Sequence, residues 1–524
     1  MSSLFLVGGV TLDPFQDVID TRFPNLFDRV VVLDDIEQLL LHLYRERVGV
    51  KYTTSVSGPD TTNNTTNTIK PSSFETGVAL IVHRPTGPYK DLNPILQRFF
   101  PCFNAIALTE SQVRDDSIVM SMLTNLQRFV HICRNRIARM SYWMYEEEPF
   151  GSLYMMIRHL RFAQQLNQQA TTIPRAIRSI DFASLLGVTP EMESRLWNSL
   201  DTWSFQAHSL QTKELVYCGF LLLRHCAVSG KLSVQNNKLL LLLFTLESSY
   251  HQANRFHNFR HAVDVMQAAW QLAKRLLTDP LQILLVTLAA LGHDVGHPGA
   301  NNQLLCKYNS PVALHYNQRS VLENLHTDIF TSLLSDYWPQ LISRTSQGRQ
   351  HMELISEAIM ATDMAFHGDY VRQLQESEQT VDDPRSLSSL ILKAADISNV
   401  TRPLIISAQW AALITFEFDD CALIDRYQAS GGKHDSGVGG DRRNSLDKSK
   451  NSLELEHGIG FSDEFQCTSP EQLTDSFPTI PAGQIFFIDT FAEQFFAEFC
   501  KAFPKVSFLV ENVRSNREFW VSRS

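Results

Sequence analysis

The chain has 524 residues, of which 44% are hydrophobic and 19% are charged, so it carries enough apolar material for two or three globular domains. Its formal net charge of −10 excludes a general electrostatic attraction to nucleic acid or to anionic membranes. The most apolar stretches, at 239–246 and 281–292, are shorter than the ~18–20 residues of a membrane span, and we predict buried helices there.

The cysteine content and the first residues bear on the compartment. The eight cysteines are scattered and form no CxxC pair, a pattern typical of reduced, mostly buried thiols. Residues 1–10 lack the basic segment and the long apolar core of a signal peptide. We therefore expect a cytoplasmic protein without a membrane span, with a nuclear pool as a further expectation.

Four regions follow one another along the chain. Residues 1–115 alternate β-like and helical runs, which predicts a small α/β module, interrupted at 53–73 by a disordered loop rich in Ser, Thr and Asn. The helical pattern at 116–199 indicates a connecting region. From 200 to 524 apolar residues recur every three or four positions, which predicts an all-α domain, interrupted at 430–475 by a low-complexity insert.

Histidines and acidic residues mark the helical domain. His257 and His261 are spaced i and i+4 in the string HNFRH, so a helix there places both imidazoles on one face. His293 and Asp294 follow a wholly apolar stretch, and Asp396 ends the apolar run SLSSLILKAAD. Imidazole and carboxylate together suit Zn²⁺ and other divalent ions. This pattern favours a metal site, and isolated core histidines are the alternative.

The string HDVGHPGANNQLL (293–305) resembles the defining signature of class I cyclic-nucleotide phosphodiesterases, HDxxHxGxxNxxL. The family's other landmarks follow in order: YHQANRFHNFRHAVDVMQ (250–267), VLENLH (321–326), ATDMAFH (361–367), KAADISNVTRPLIISAQW (393–410), QIFFID (484–489) and NREFW (516–520). The flanking ESSYH and NNQLLC strings are most similar to the high-affinity cAMP-hydrolysing members from yeasts. The resemblance covers roughly 200–524 and implies the HD-type, all-α catalytic fold.

The resemblance also implies two metal ions. The positions that match the ligands of the tighter site, usually occupied by Zn²⁺, are His261, His293, Asp294 and Asp396. Asp294 matches the carboxylate that bridges to a second, water-rich ion, for which Mg²⁺ or Mn²⁺ is expected. The groups that match those holding the waters of this second ion are His297, Glu323 and Thr362.

The reaction implied by the resemblance is hydrolysis of 3′,5′-cyclic AMP to 5′-AMP, which lowers intracellular cAMP. A hydroxide that bridges the metals is expected to attack phosphorus in line, while His257 protonates the O3′ leaving group. Glu417 matches the carboxylate that keeps this imidazole protonated and oriented. The alternative for Glu417 is a solvent-facing charge in the TFEFDD segment.

Four further positions are implied to bind the nucleotide. Gln484 matches the purine-binding glutamine of the family, and Phe487 and Ile414 match the two sides of an apolar clamp on the ring. Asn399 matches the asparagine of cAMP-selective members, although a freely rotating amide could also serve guanine. The alternatives are a dual cAMP/cGMP phosphodiesterase, another HD-type metal phosphohydrolase, and an inactive nucleotide-binding scaffold.

A regulatory site is predicted in the insert. Arg442 and Arg443 precede Ser445, the pattern that cAMP-dependent protein kinase accepts. Phosphorylation of Ser445 would close a feedback circuit on cAMP by placing negative charge near the entrance that an anionic substrate uses. The alternative is a chance basic-serine string in a Ser-rich loop.

Overall fold

A computed structural model gives the fold of the chain. The residues that it describes are 2–11, 26–47, 78–84, 104–113, 172–250, 254–376, 383–429 and 465–524, with a few isolated positions between 16 and 144. The predicted disordered loop at 53–73 lies outside the described residues, as do most of the predicted connecting region and positions 430–464 of the insert, including Ser445.

The N-terminal module contains a parallel four-stranded sheet in the order β2-β1-β3-β4. Its elements are β1 (Ser2–Val7), β2 (Arg29–Leu33), α1 (Ile36–Arg47), β3 (Val78–His83), β4 (Asn104–Thr109) and α2 (Glu110–Val113). In β1, Phe5 pairs with Val31 on one side and Ile81 on the other. Residues 4–7 of this central strand are all buried, as in a parallel strand covered on both faces. The predicted α/β region is confirmed.

Helices make up the rest of the described chain. Before residue 345 they are α3 (Thr172–Ser179), α4 (Phe182–Leu186), α5 (Pro190–Leu200), α6 (Thr212–Ser229), α7 (Asn236–Ser249), α8 (Phe259–Leu276), α9 (Pro280–Gly292), α10 (Asn302–Lys307), α11 (Pro311–His315) and α12 (Val321–Tyr337). The later helices are α13 (Ser346–Met360), α14 (His367–Glu376), α15 (Pro384–Asp396), α16 (Leu404–Ala429), α17 (Pro470–Ser476), α18 (Thr479–Phe487), α19 (Glu493–Ala502) and α20 (Phe508–Val521). The predicted all-α domain is thereby confirmed. No helix among the described residues is both long enough and apolar enough to cross a membrane.

The two regions share one hydrophobic core. Tyr44 of α1 is fully buried, and its ring lies 5.0 Å from the ring of Phe182 and 5.5 Å from that of Phe244. Helices α4 and α5 pack on α7 and α6. At the far end of the insert, Phe465 contacts the ring of Phe416, so positions 465–475 belong to the folded domain rather than to a low-complexity loop.

Three helices form the framework of the site, because α8, α9 and α15 all pack against one another. The side chains of Asn258, Asp279 and Asp383 cap their N-termini by accepting hydrogen bonds from backbone N–H groups of the first turn. Pro280 and Pro384 occupy the first helical positions, where the missing N–H costs nothing. The capping pattern therefore sets where each helix starts.

The last residue of α9 allows a close helix contact. A Cβ added at Gly292 would lie 2.2 Å from the ring of Phe330 on α12, so only glycine lets the two helices approach this closely. At Gly483, by contrast, an added Cβ would meet nothing within 4 Å.

We expect Gly292→Ala to lower the free energy of unfolding by about 1–3 kcal/mol, because the added methyl overpacks against a ring in a closed core. The matched Gly483→Ala variant should be neutral or more stable by up to ~1 kcal/mol, because alanine favours the helix. Urea unfolding of both variants measures the difference. Equal stability of the two variants would contradict the packing described here.

Candidate active site

Four side chains from the three framework helices meet at one point. His261 lies in the first turn of α8, His293 and Asp294 directly follow α9, and Asp396 is the last residue of α15. His293 Nε2 lies 3.0 Å from Asp294 Oδ2 and 3.2 Å from Asp396 Oδ1. His261 Nε2 lies 3.3 Å from the same Asp396 oxygen. One donor atom from each residue falls within 4.8 Å of all the others.

The donor set fits a divalent cation. Within the described part of the chain, the buried His261 Nε2 and Asp294 Oδ2 make no well-formed hydrogen bond despite these close approaches, which costs free energy unless a ligand satisfies them. His293 Nδ1 donates to the carbonyl of Ala290 at 2.8 Å, which turns Nε2 toward the two carboxylates. The carboxylates raise the pKa of His293, so Nε2 is protonated without a cation and offers its lone pair when a cation displaces that proton. Two imidazole nitrogens and two carboxylates are ligands that Zn²⁺ accepts.

Electrostatics keeps both carboxylates ionised. Burial opposes the ionisation of Asp294 and Asp396, but the neighbouring His293 outweighs this effect and holds the pKa of both carboxyls below their usual range. The site therefore presents two negative charges at neutral pH. This negative charge favours a site for a divalent cation over a pocket for an uncharged, apolar ligand.

A second pair lies beside this cluster. His257 Nδ1 contacts Glu417 Oε1, and Glu417 Oε2 accepts hydrogen bonds from the backbone N–H groups of Phe256 at 2.7 Å and His257 at 3.2 Å. Glu417 is 2% exposed, so the solvent-facing alternative for this residue is wrong. Burial lowers the pKa of His257, but the charge of Glu417 and its hydrogen bond raise it, to about 9 overall. His257 is therefore protonated at neutral pH.

Of the three predicted water-holding residues, His297 contacts the His257–Glu417 pair directly. The His297 ring stacks on the ring of His257 with centroids 4.1 Å apart, and His297 Nδ1 accepts from the N–H of Gly299 at 3.0 Å. In neutral His297 the proton is therefore on Nε2, which makes this atom a donor. Glu323 accepts two hydrogen bonds from Asn302, and burial together with the charge of Asp363 raises its pKa to about 7.

The hydroxyl group of Thr362 donates its hydrogen bond to a backbone carbonyl three residues earlier in the chain. Its Oγ1 donates to the carbonyl of Ile359 at 2.8 Å, which leaves the hydroxyl oxygen as an acceptor. Thr362 and the neighbouring Asp363 are both buried. Asp363 in turn accepts hydrogen bonds from Ser320 Oγ at 2.7 Å and from the N–H of Ala365 at 2.8 Å.

The predicted nucleotide-binding residues lie on neighbouring elements. Asn399 lies in the short turn that follows Asp396, and its Oδ1 accepts from the N–H of Val400 at 2.9 Å. This bond occupies the amide oxygen, and Nδ2 has no hydrogen-bond partner among the described residues. Gln484 is buried, and its Oε1 has no hydrogen-bond partner in the described ranges. Helices α16 and α18, which carry the half-buried Ile414 and Phe487, pack against each other.

Comparison with known proteins places this geometry in a family. A profile of the 3′5′-cyclic nucleotide phosphodiesterase family matches residues 256–429. The 3′,5′-cyclic-nucleotide phosphodiesterase 2 of Saccharomyces cerevisiae is 40% identical over 99% of this chain and 99% of its own. The chain belongs to this phosphodiesterase family. It is therefore a hydrolase, and the family predicted from the sequence is confirmed.

Two further comparisons show how much of the chain other proteins match. The crystal structure of yeast caPDE2 in complex with IBMX superimposes with a TM-score of 0.74 at 25% identity and covers both chains completely. The cGMP-specific 3′,5′-cGMP phosphodiesterase 3 of Dictyostelium discoideum is 30% identical over 42% of this chain and 50% of its own. Family membership alone therefore does not decide which base is bound.

The sequence analysis missed one buried histidine of this phosphodiesterase site. His326 Nε2 lies 3.6 Å from Asp294 Oδ1, and its Nδ1 donates to the carbonyl of Val295 at 2.8 Å. Burial lowers the pKa of His326 to about 4, so the ring is neutral and turns a lone pair toward the site. The signal was available, because His326 lies three residues after Glu323, on the same face of α12.

Asp396→Asn should weaken the binding of Zn²⁺ to this phosphodiesterase by at least about 10- to 100-fold, because a ligand loses its charge while the side-chain shape is kept. Competition with a metal-sensitive chelating dye measures the dissociation constant. The exposed Asp475→Asn is the matched control and should bind Zn²⁺ like the unmodified chain. Unchanged affinity in Asp396→Asn would show that Asp396 is not a ligand.

Proposed function

We propose that the chain hydrolyses 3′,5′-cyclic AMP to 5′-AMP with two bound divalent cations and with His257 as the general acid. The observation that supports this best is the position of the His257–Glu417 pair beside the cluster of metal-binding groups. The ring of His257 lies 5.8 Å from the ring of His261, so one phosphate can reach both. A proton donor and a cation site side by side are what phosphodiester hydrolysis requires.

The metal-binding residues divide between two ions. The side chains that would hold Zn²⁺ are His261, His293, Asp294 and Asp396. Asp294 turns Oδ2 toward His293 and Oδ1 toward His326, so it has an oxygen available on each side for a second ion, Mg²⁺ or Mn²⁺. Divalent ions bound here supply an activated water nucleophile and neutralise the charge of the phosphate. We place Thr362 and His297 beside the waters of that second ion, where the Thr362 hydroxyl oxygen is an acceptor.

His257 transfers the proton that the reaction needs. Its Nε2–H is free to donate to O3′ while the P–O3′ bond breaks, because Nδ1 is occupied by Glu417. Glu417 stabilises the imidazolium before the transfer and holds the ring in place through its hydrogen bonds with the backbone. Glu417 therefore both orients His257 and keeps it protonated until the transfer.

The two amides favour adenine over guanine. Asn399 offers a donor from Nδ2, and Gln484 offers an acceptor from its buried Oε1. We assign Gln484 Oε1 to the amino donor at C6 of adenine and Asn399 Nδ2 to the acceptor at N1, and with this assignment the two groups complement adenine. Guanine carries a carbonyl at C6 and an N–H at N1, the reverse pattern. Ile414 and Phe487 would clamp the ring between them.

Side-by-side assays of cAMP and cGMP, with 5′-nucleotide quantified by chromatography, test the proposed function. The unmodified chain should show a higher kcat/KM for cAMP, and His257→Ala should lower kcat by about 10²- to 10⁴-fold, the usual contribution of a general acid. The exposed His315→Ala is the control and should retain full activity.

The alternatives give different results in the same assays. Equal kcat/KM for the two nucleotides would identify a dual-specificity enzyme. Binding of cAMP without formation of 5′-AMP in the presence of Mg²⁺ would identify a scaffold. Hydrolysis of phosphomonoesters alone would identify another HD-type phosphohydrolase.

The pH dependence should reveal the His257–Glu417 pair. A raised pKa of about 9 keeps His257 protonated below that pH, so kcat/KM should fall as the pH rises through about 9. Glu417→Gln removes the charge that raises the pKa, so burial dominates and the alkaline limb should move to lower pH by roughly 1–3 units. Activity at the acidic end should be partly retained. A uniform loss at every pH would indicate structural damage instead.

Two predictions extend beyond the described residues. We propose that Ser445 is phosphorylated by cAMP-dependent protein kinase and that the enzyme acts in the cytoplasm. The Arg442-Arg443 pair before Ser445 and the scattered cysteines support these two proposals.

A further inference from the structure

A buried aspartate follows two of the site residues by one helical turn, and the proposed mechanism uses neither aspartate. One helical turn after His261 on α8 comes Asp264, and one turn after Glu417 on α16 comes Asp420. Each aspartate is buried against a buried arginine that belongs to a different part of the site. Neither pair contains a metal-binding or proton-transferring group.

The first pair joins α8 to the segment after Asp396. Arg402 is 0% exposed, and its Nη2 lies 3.2 Å from Asp264 Oδ2 and donates to the backbone carbonyl of Asp264 at 3.1 Å. Its Nη1 donates to the carbonyl of Trp203 at 3.1 Å, and the guanidinium lies 4.5 Å from the centre of the Trp203 ring. Arg402 is thus held on three sides.

The same segment is tied down from the C-terminal helix. Asn516 Nδ2 on α20 donates to the carbonyls of Val400 at 2.8 Å and Arg402 at 2.9 Å, and Asn512 Nδ2 donates to that of Thr401 at 2.8 Å. These bonds fix the backbone of 400–402. The Arg402–Asp264 contact then joins this fixed segment to α8.

The second pair lies behind the proton donor. Arg255 Nε donates to Asp420 Oδ2 at 2.9 Å, and its guanidinium lies 5.6 Å from the centre of the Phe416 ring. This pair holds the chain before His257 against α16, which carries Glu417. It therefore resembles the first pair in chemistry and burial but supports a different part of the site.

We propose that Asp264 and Arg402 are positioning residues that set the separation between His261 and Asp396 and thereby the affinity of the site for Zn²⁺. This inference rests on the proposed metal site. His261 and Asp264 share one face of α8, while Asp396 and Arg402 flank the turn 397–401, so the pair spans the same gap as the two metal-binding side chains. A guanidinium suits this role because its donors form a rigid planar fork.

The pair is poorly explained by stability alone. Desolvation of two buried charges offsets most of their attraction, so apolar residues of similar volume are often tolerated in place of such a pair. Apolar residues, by contrast, do not reproduce the fixed geometry that the two charged groups give the site. Metal affinity and fold stability should therefore respond differently to the same substitution.

The test compares two double variants that leave no unpaired buried charge. Asp264→Leu with Arg402→Met should weaken Zn²⁺ binding by about 10- to 100-fold, the usual effect of losing a group that orients a ligand. Asp420→Leu with Arg255→Met is the matched control, with the same chemistry and burial. It should bind Zn²⁺ within about twofold of the unmodified chain, because the pair it removes joins the segment before His257 to α16 and does not bridge His261 and Asp396.

The two measurements are competition with a chelating dye for the Zn²⁺ dissociation constant and urea unfolding of the metal-free chains. A parallel loss of affinity and stability in both double variants, or unchanged affinity in the first, overturns the inference. If the first double variant does not fold, Arg402→Lys serves instead, because it keeps the charge but loses the planar fork. Its affinity should then fall severalfold, and an unchanged value overturns the inference. Failure of the unmodified chain to bind Zn²⁺ would overturn the proposed metal site itself.

Discussion

Asp294 and Asp396 lie in one buried cluster with two imidazoles, and the helical domain is arranged around the need to hold that negative charge. Two unit charges 4 Å apart in a partly solvated protein repel each other by about 4 kcal/mol. Positive charge between the carboxylates offsets this repulsion, and His293 supplies part of it at 3.0 and 3.2 Å from their oxygens. A divalent cation would supply more. Helices α8, α9 and α15 bring the ligand-bearing ends together, and their packed core prevents the carboxylates from moving apart.

In the proposed mechanism, two separate groups of the site act on one phosphate. The metal-binding cluster gathers negative charge, whereas the His257–Glu417 pair stores a proton. His297 lies between them, since its ring stacks on His257 and also lies 5.7 Å from the ring of His326. A buried aspartate–arginine pair accompanies each group. Asp264 of the Asp264–Arg402 pair lies one helical turn after His261, and Asp420 of the Asp420–Arg255 pair lies one turn after Glu417. The site is therefore held by side chains that never touch substrate.

Sequence spacing predicted the parts of the site that are local in the chain. The apolar helix before His293 follows directly from helix geometry. The predicted helical i, i+4 spacing of His257 and His261 is wrong, because α8 begins at Phe259 and His257 lies in the segment before its cap. Contacts between distant segments were not readable from spacing: the Arg402–Asp264 pair joins positions 138 residues apart, and the docking of Tyr44 on Phe182 depends on tertiary packing. The burial of Glu417 was undecided from its acidic surroundings for the same reason.

Anomalous diffraction at the zinc edge from crystals of the purified protein tests the central claim most directly. The account predicts a strong peak bounded by His261, His293, Asp294 and Asp396, with Nε2 of both histidines within about 2.0–2.1 Å of the ion. A peak elsewhere, or none at this position in crystals supplied with Zn²⁺, would contradict it.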